Sequence, residues 1–285
     1  NGVAKLATTA TGIDVTGIIV SDGMSTNTAG TSNFRAGTNA GNSIASGGNK
    51  NTLIGDEAGT AITTGDDNTA VGMDSLKNTT TATGNTAVGR GSLWANTTGA
   101  SNVALGWKAL NVNTTGALNV AIGDNALSSN IGSGLNVAVG SESLKLNTSG
   151  NYNVAVGRHA LLSNTTANNN TAVGMMALYA NTTGTQNTFI GGLAGDANTT
   201  ASYSTAVGYD ALGANTTGER NAAFGRTSLT ANTTGVYNVA VGMSALYSNT
   251  TASQNTAVGY EALFANTTGA FNTALGRLAG ASNTT

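Results

Sequence analysis

One period governs this chain: from Asn51 onward a 17-residue unit recurs fourteen times without an insertion. Its marker is Asn-(Thr/Val)-Ala-(Val/Ile/Leu)-Gly, which opens at Asn51, Asn68, Asn85 and every seventeenth residue to Asn272, Ser204 replacing Asn once. A weaker copy, Asn33 to Gly37, begins 18 residues before Asn51 and reads as a divergent first coil. Periods of this size belong to stacked architectures, in which each unit buries its apolar face only against its neighbours.

With the marker Asn as position 1, position 5 is Gly in all fourteen units, from Gly55 to Gly276. Position 4 is apolar throughout, position 3 is Ala except at Leu53 and Phe189, and position 9 is Leu except at Gly59, Gly195 and Gly280. Position 12 is Asn in twelve units and usually opens Asn-Thr-Thr-Gly. Two amphipathic helices do not fit in this length, and Thr, Asn, Gly and Val are weak helix formers. Short strands of four or five residues joined by turns fit better. At roughly 3.3 Å per residue the unit gives about 56 Å of chain, enough to close one flattened coil. Gly at position 5 turns the first corner, and Asn-Thr-Thr-Gly turns the second through side-chain hydrogen bonds to the backbone. The fold class is therefore all-β, a parallel β-solenoid of about 15 coils over residues 33–285, preceded by a β-rich lead-in over 1–32 with alternation at Ile13, Val15 and Ile18 to Val20. The chain stops at Thr285 in mid-repeat, and continuation beyond it is expected.

Stacking turns each position into a ladder along the axis. Position 4 is expected to fill the coil interior opposite the Leu of position 9, with Asn amide ladders at positions 1 and 12. Strand alternation then turns the Ala of position 3 outward. A column of small residues in register suits close approach of a second chain, so the Ala column is expected at a subunit interface.

Composition narrows the function classes. Only 8% of residues are charged, and the formal net charge of −2 gives nucleic-acid binding no electrostatic footing. No apolar run approaches 18 residues, so no membrane insertion is expected. There is no Cys and a single His159, which leaves no thiolate or histidine cluster for a metal, and no cofactor is expected.

The pentamers Asn136 to Gly140 and Asn153 to Gly157 resemble the core of the head repeats of trimeric autotransporter adhesins, which are trimers of left-handed parallel β-rolls. The phrases Asn255 to Gly269 and Asn187 to Thr200, with the opening Lys5 to Met24, resemble repeats of bacteriophage tail fibres still more closely. The unit is longer than the adhesin repeat, and these 285 residues include no segment that reads as an adhesin's coiled-coil stalk or membrane-anchor barrel, which favours the tail-fibre expectation. The resemblance implies a homotrimeric, left-handed roll in a tail fibre, located on the virion. There it would bind other virion tail proteins, with a bacterial surface glycan or protein as receptor. The alternative is a bacterial trimeric surface adhesin located at the cell surface.

Catalysis has one foothold. Glu57 and Asp74 occupy position 7 on adjacent coils, about 5 Å apart, a spacing that suits a retaining glycosidase pair. With Asp56, Asp66 and Asp67 they make an acidic cluster whose simpler reading is a solvated end or a weak cation site. No catalytic or metal-ligating residue is assigned, and no enzyme is expected; a polysaccharide depolymerase stays the rival. Thr columns at positions 13 and 14 raise ice binding as another rival, broken by Ile131 and Gly132, and the Asn-Thr-Thr sequons are read as turns. Recognition would fall on the variable positions 6 and 10, where Trp94, Trp107, Tyr179, Tyr209, Tyr247 and Tyr260 are the candidate surface residues, alongside Arg90, Arg158, Arg226 and Arg277.

Overall fold

A computed structural model describes residues 29–285. It contains fifteen strands, β1 (Phe34–Ala36), β2 (Thr52–Ile54), β3 (Thr69–Val71) and so on at each repeat to β15 (Thr273–Leu275). They form one parallel sheet in chain order, a β-solenoid. The register advances by one 17-residue coil at each step, as Thr69 opposite Thr86, and by 18 only where Phe34 faces Thr52. The divergent copy at Asn33 thus supplies β1. The strands proposed for Ile13 to Val20 lie outside the described residues.

Each strand has three residues, shorter than the expected four or five. The rest of the coil is turn, yet it is bonded from coil to coil as thoroughly as the strand. The N–H of Asp74 donates to the Asp56 carbonyl of the preceding coil at 2.9 Å, and that of Leu76 to the Ser92 carbonyl of the following one at 3.0 Å. Thr80 N–H donates to Thr97 O at 3.1 Å. Alternate residues therefore satisfy alternate neighbours around the perimeter, so few backbone groups are left without a partner. At about 4.8 Å per step the rod is about 70 Å long.

This path requires four left-handed residues in a typical coil, for example Gly89 (φ 126°), Gly91 (66°), Leu93 (50°) and Ser101 (56°). Only the first is always Gly. A Cβ at Gly89 would lie 2.5 Å from the Gly106 carbonyl oxygen, which explains the invariance of position 5. Positions 7, 9 and 17 accept ordinary side chains at a cost of about 1–2 kcal/mol each. The coil-to-coil hydrogen bonds hold them there.

The strand faces are the reverse of the expectation. Ala at position 3 is inside, as Ala70, Ala87 and Ala104 are fully buried, whereas position 4 faces outward, with Leu105 42% exposed. The reason is volume. Leu at position 9 and Ala or Ser at position 8 already fill the thin cross-section, as Ser92 and Leu93 do, and leave the facing strand room for a methyl group. Within the fourteen units, both residues larger than Ala at position 3 share a coil with a Gly at position 9, while the third such Gly, Gly280, shares the last coil with Ala274. Phe189 replaces Ala where Gly195 replaces Leu, and a Cβ on Gly195 would fall within the ring of Phe189. Leu53 pairs with Gly59 in the same way, its Cδ2 lying 2.8 Å from where that Cβ would be. The Ala column therefore cannot lie at a subunit interface.

Two buried Asn ladders complete the interior. Asn102 Nδ2 donates to Asn85 Oδ1 at 3.2 Å and to the Gly116 carbonyl of its own coil at 2.9 Å. Asn113 Nδ2, at position 12, donates to Asn96 Oδ1 and to the same Gly116 carbonyl, both at 2.9 Å. One carbonyl thus ties both ladders to the corner, and each amide carries inter-coil bonds that water would otherwise take. The Asn amides at position 12, from Asn96 to Asn266, are buried and consumed inside the rod.

Candidate binding surface

Side chains at positions 6, 7 and 10 project from the perimeter and stack along the axis in columns. The left-handed conformation at 7 lets the chain turn between them, which sets the three columns side by side. Over three successive coils the array reads Met73, Asp74 and Lys77; then Arg90, Gly91 and Trp94; then Trp107, Lys108 and Asn111. Gly91 stands at its centre, and it is the single Gly among fourteen residues at position 7.

The missing side chain leaves a depression of about 320 Å³ lined by Asp74, Arg90, Gly91, Trp94, Trp107, Lys108 and Asn111. Its floor is fixed, since Asn111 Nδ2 donates to the Gly91 carbonyl at 2.9 Å. Trp94 and Trp107 are 40% and 44% exposed, so their rings offer surface to solvent. The Lys108 ammonium lies 4.5 Å from the centre of the Trp107 ring, a cation–π distance. Arg90 has no ion-pair partner among the described residues.

Tyr247 and Tyr260 occupy the same two columns on adjacent coils, with Ser244 and Glu261 at position 7 where the Trp pair has Gly91 and Lys108. Tyr247 stacks on Phe264 at 5.0 Å and is one of a pair in its own column. Tyr179 packs at 6.2 Å from the ring of His159, which in turn approaches Glu142 Oε2 at 3.4 Å. Lys145 holds the Glu142 carboxyl below its ordinary range, and the nearby His159 and Arg158 charges reinforce this. Tyr260 lies under Arg277, and its hydroxyl is pushed up chiefly by a hydrogen bond to Glu261. Tyr209 is exposed beside Gly192.

Sequence reasoning passed over position 17, where Leu118, Leu135, Tyr152, Tyr203, Tyr237 and Phe271 are all exposed. There Arg220 lies between two rings, 5.1 Å from Tyr203 and 5.4 Å from Tyr237, and donates to the Tyr237 hydroxyl at 2.9 Å. Their spacing of one repeat was the signal.

The acidic foothold is occupied. Lys77 forms ion pairs with both Glu57 and Asp74, at 2.9 Å to Asp74 Oδ1, and the two carboxylates push its ammonium pKa upward, Glu57 most. Among the described residues no group of three or more His, Cys, Asp or Glu could hold a metal ion. The Thr column at position 13 spends its hydroxyls on the stack, as Thr97 Oγ1 donates to Thr114 O at 3.0 Å, which leaves position 14 alone free. No protein-family model, curated protein or solved structure matches this chain.

Proposed function

We propose that this chain is a non-catalytic segment of a bacteriophage tail fibre, a homotrimer of left-handed β-rolls that projects from the virion and contributes to host-cell attachment. One observation carries the reading beyond the resemblance of the repeats: over the four coils that open at Asn102, Asn119, Asn136 and Asn153, both outward positions of the strand are apolar. Positions 2 and 4 of these coils present Val103 and Leu105, Val120 and Ile122, Val137 and Val139, then Val154 and Val156, Leu105 exposed and the others half-buried. Leu118, Leu135 and Tyr152 at position 17 of the same coils are also exposed. An apolar patch this long on a solitary chain is unusual and marks an interaction surface. Association through this face would bury what the thin coil cannot bury by itself.

The mass in solution tests it. Sedimentation equilibrium should give three times 28.0 kDa. Replacing Ile122 and Val139 with Asp should lower the mass to that of one chain. A parent chain that stays monomeric at micromolar concentration would refute the trimer. The depolymerase alternative draws no support from Glu57 and Asp74, because both carboxylates are tied up in ion pairs with Lys77.

A further inference from the structure

The depression over Gly91 joins exposed indole rings and cations to an open floor where position 7 lacks a side chain. Both tryptophans of the chain flank it, two cations line it, and one of these, Arg90, is free of ion pairs among the described residues. Its single carboxylate, Asp74, is already engaged by Lys77. The volume lies at the lower end for a small-ligand pocket, the size for one or two sugar rings. Apolar ring surface beside a few fixed polar groups is the chemistry that orients a saccharide, and an unpaired guanidinium beside an ammonium selects a carboxylate.

We propose that this depression is a subsite for an acidic saccharide, a uronic acid residue within a surface polysaccharide. The C–H face of the pyranose lies on the indole surface of Trp94 and Trp107. Its carboxylate pairs with Arg90 and Lys108. Hydroxyl groups donate to the second oxygen of Asp74 and accept from Asn111. Gly91 makes room for the ring: a Cβ there would meet Asn111 Nδ2 at 3.5 Å and Lys108 Cγ at 3.7 Å, ordinary contacts, so the floor is open for lack of a side chain. The proposal deepens the attachment reading by naming a ligand class and a place on the rod.

Selective excitation of tryptophan reports on this site alone, since both tryptophans are in it. The full chain is titrated with an oligosaccharide of glucuronic acid, with the corresponding glucose oligosaccharide, and with an oligoglutamate peptide. A saturable fluorescence change is expected with the first, and binding at least about tenfold weaker with the other two. Arg90→Met should weaken the acidic ligand about tenfold and leave the neutral one unchanged; Met73, Met175 and Met243 already occupy the same position in other coils. Gly91→Leu should abolish the response without unfolding the rod, because Leu193 and Leu278 hold that position at φ 57° and 59°. No saturable change with the acidic oligosaccharide, equal binding of the glucose oligosaccharide or the peptide, or full binding by folded Gly91→Leu would each overturn the subsite. The mass measurement is independent: a trimer that binds no saccharide overturns only the subsite, and a monomer that binds it overturns only the fibre reading.

Discussion

Phe189 offers the sharpest test of how the interior is built. It is the largest fully buried side chain and stands where most coils have Ala, opposite a Gly where most have Leu. Phe189→Ala leaves a void that neither neighbour can fill, and a buried Phe→Ala change costs about 3–5 kcal/mol. Gly195→Leu alone drives a side chain into the ring and costs roughly 1–3 kcal/mol or more by overpacking. The double variant recreates the Ala and Leu pairing of the adjacent coils. Gly195 already has φ 56°, close to Leu178 at 52° and Leu212 at 56°. The remaining penalty is that of a left-handed Leu, about 1–2 kcal/mol. The double variant should therefore lie within about 2 kcal/mol of the parent, giving a coupling of several kcal/mol in a double-mutant cycle. Thermal melts give the global effect. Hydrogen exchange at Thr188, Ile190 and Asn198 reports the coil itself, which a repeat protein can lose locally. If the two losses simply add, the volume argument is wrong.

Gly89→Ala should cost on the order of 3 kcal/mol or more in a melt, since its Cβ meets the Gly106 carbonyl and its φ of 126° suits only Gly. Ser204 accepts the Asn221 N–H through Oγ at 3.2 Å but has no amide to donate, so Ser204→Asn should complete the ladder and stabilise by about 1 kcal/mol. Burial, aided by the Asp210 charge, raises the Asp196 pKa in the folded rod. The folded state then binds more protons than the unfolded one, so this group costs stability as pH rises through its raised pKa. Asp196→Asn should melt higher than the parent at neutral pH, and the difference should vanish in acid where the parent carboxyl is protonated.

Much of this fold was legible because strict repetition writes it plainly. The period set the parallel register, and invariant Gly marked the corner that Gly55 to Gly276 turn. What hydrophobicity could not decide was which face of the strand is inside. Val and Ile at position 4 look like core residues, yet a coil this thin selects by volume, and Ala is what fits against Leu. The informative pairs, Phe189 with Gly195 and Leu53 with Gly59, were in the sequence, but their meaning needed positions 3 and 9 to face each other. The left-handed Leu at position 9 had no sequence signature, because no local preference puts Leu there; the stacked hydrogen bonds do. At the candidate site, Trp94 and Trp107 were legible as exposed aromatics. Gly91 was not, since only the closed coil sets columns 6, 7 and 10 beside one another.

Alternate strand residues point in at Ala and out at Val. The chain has no Cys, so a single introduced thiol reads one position cleanly. Thiol labelling rates of Ala87→Cys, Val88→Cys and Thr98→Cys settle it. The thiol at 98 should react freely and the thiol at 87 only as fast as the rod unfolds. The thiol at 88 should react in the dilute chain and become protected as concentration drives association. A thiol at 87 that reacts as fast as the one at 98 would contradict the account.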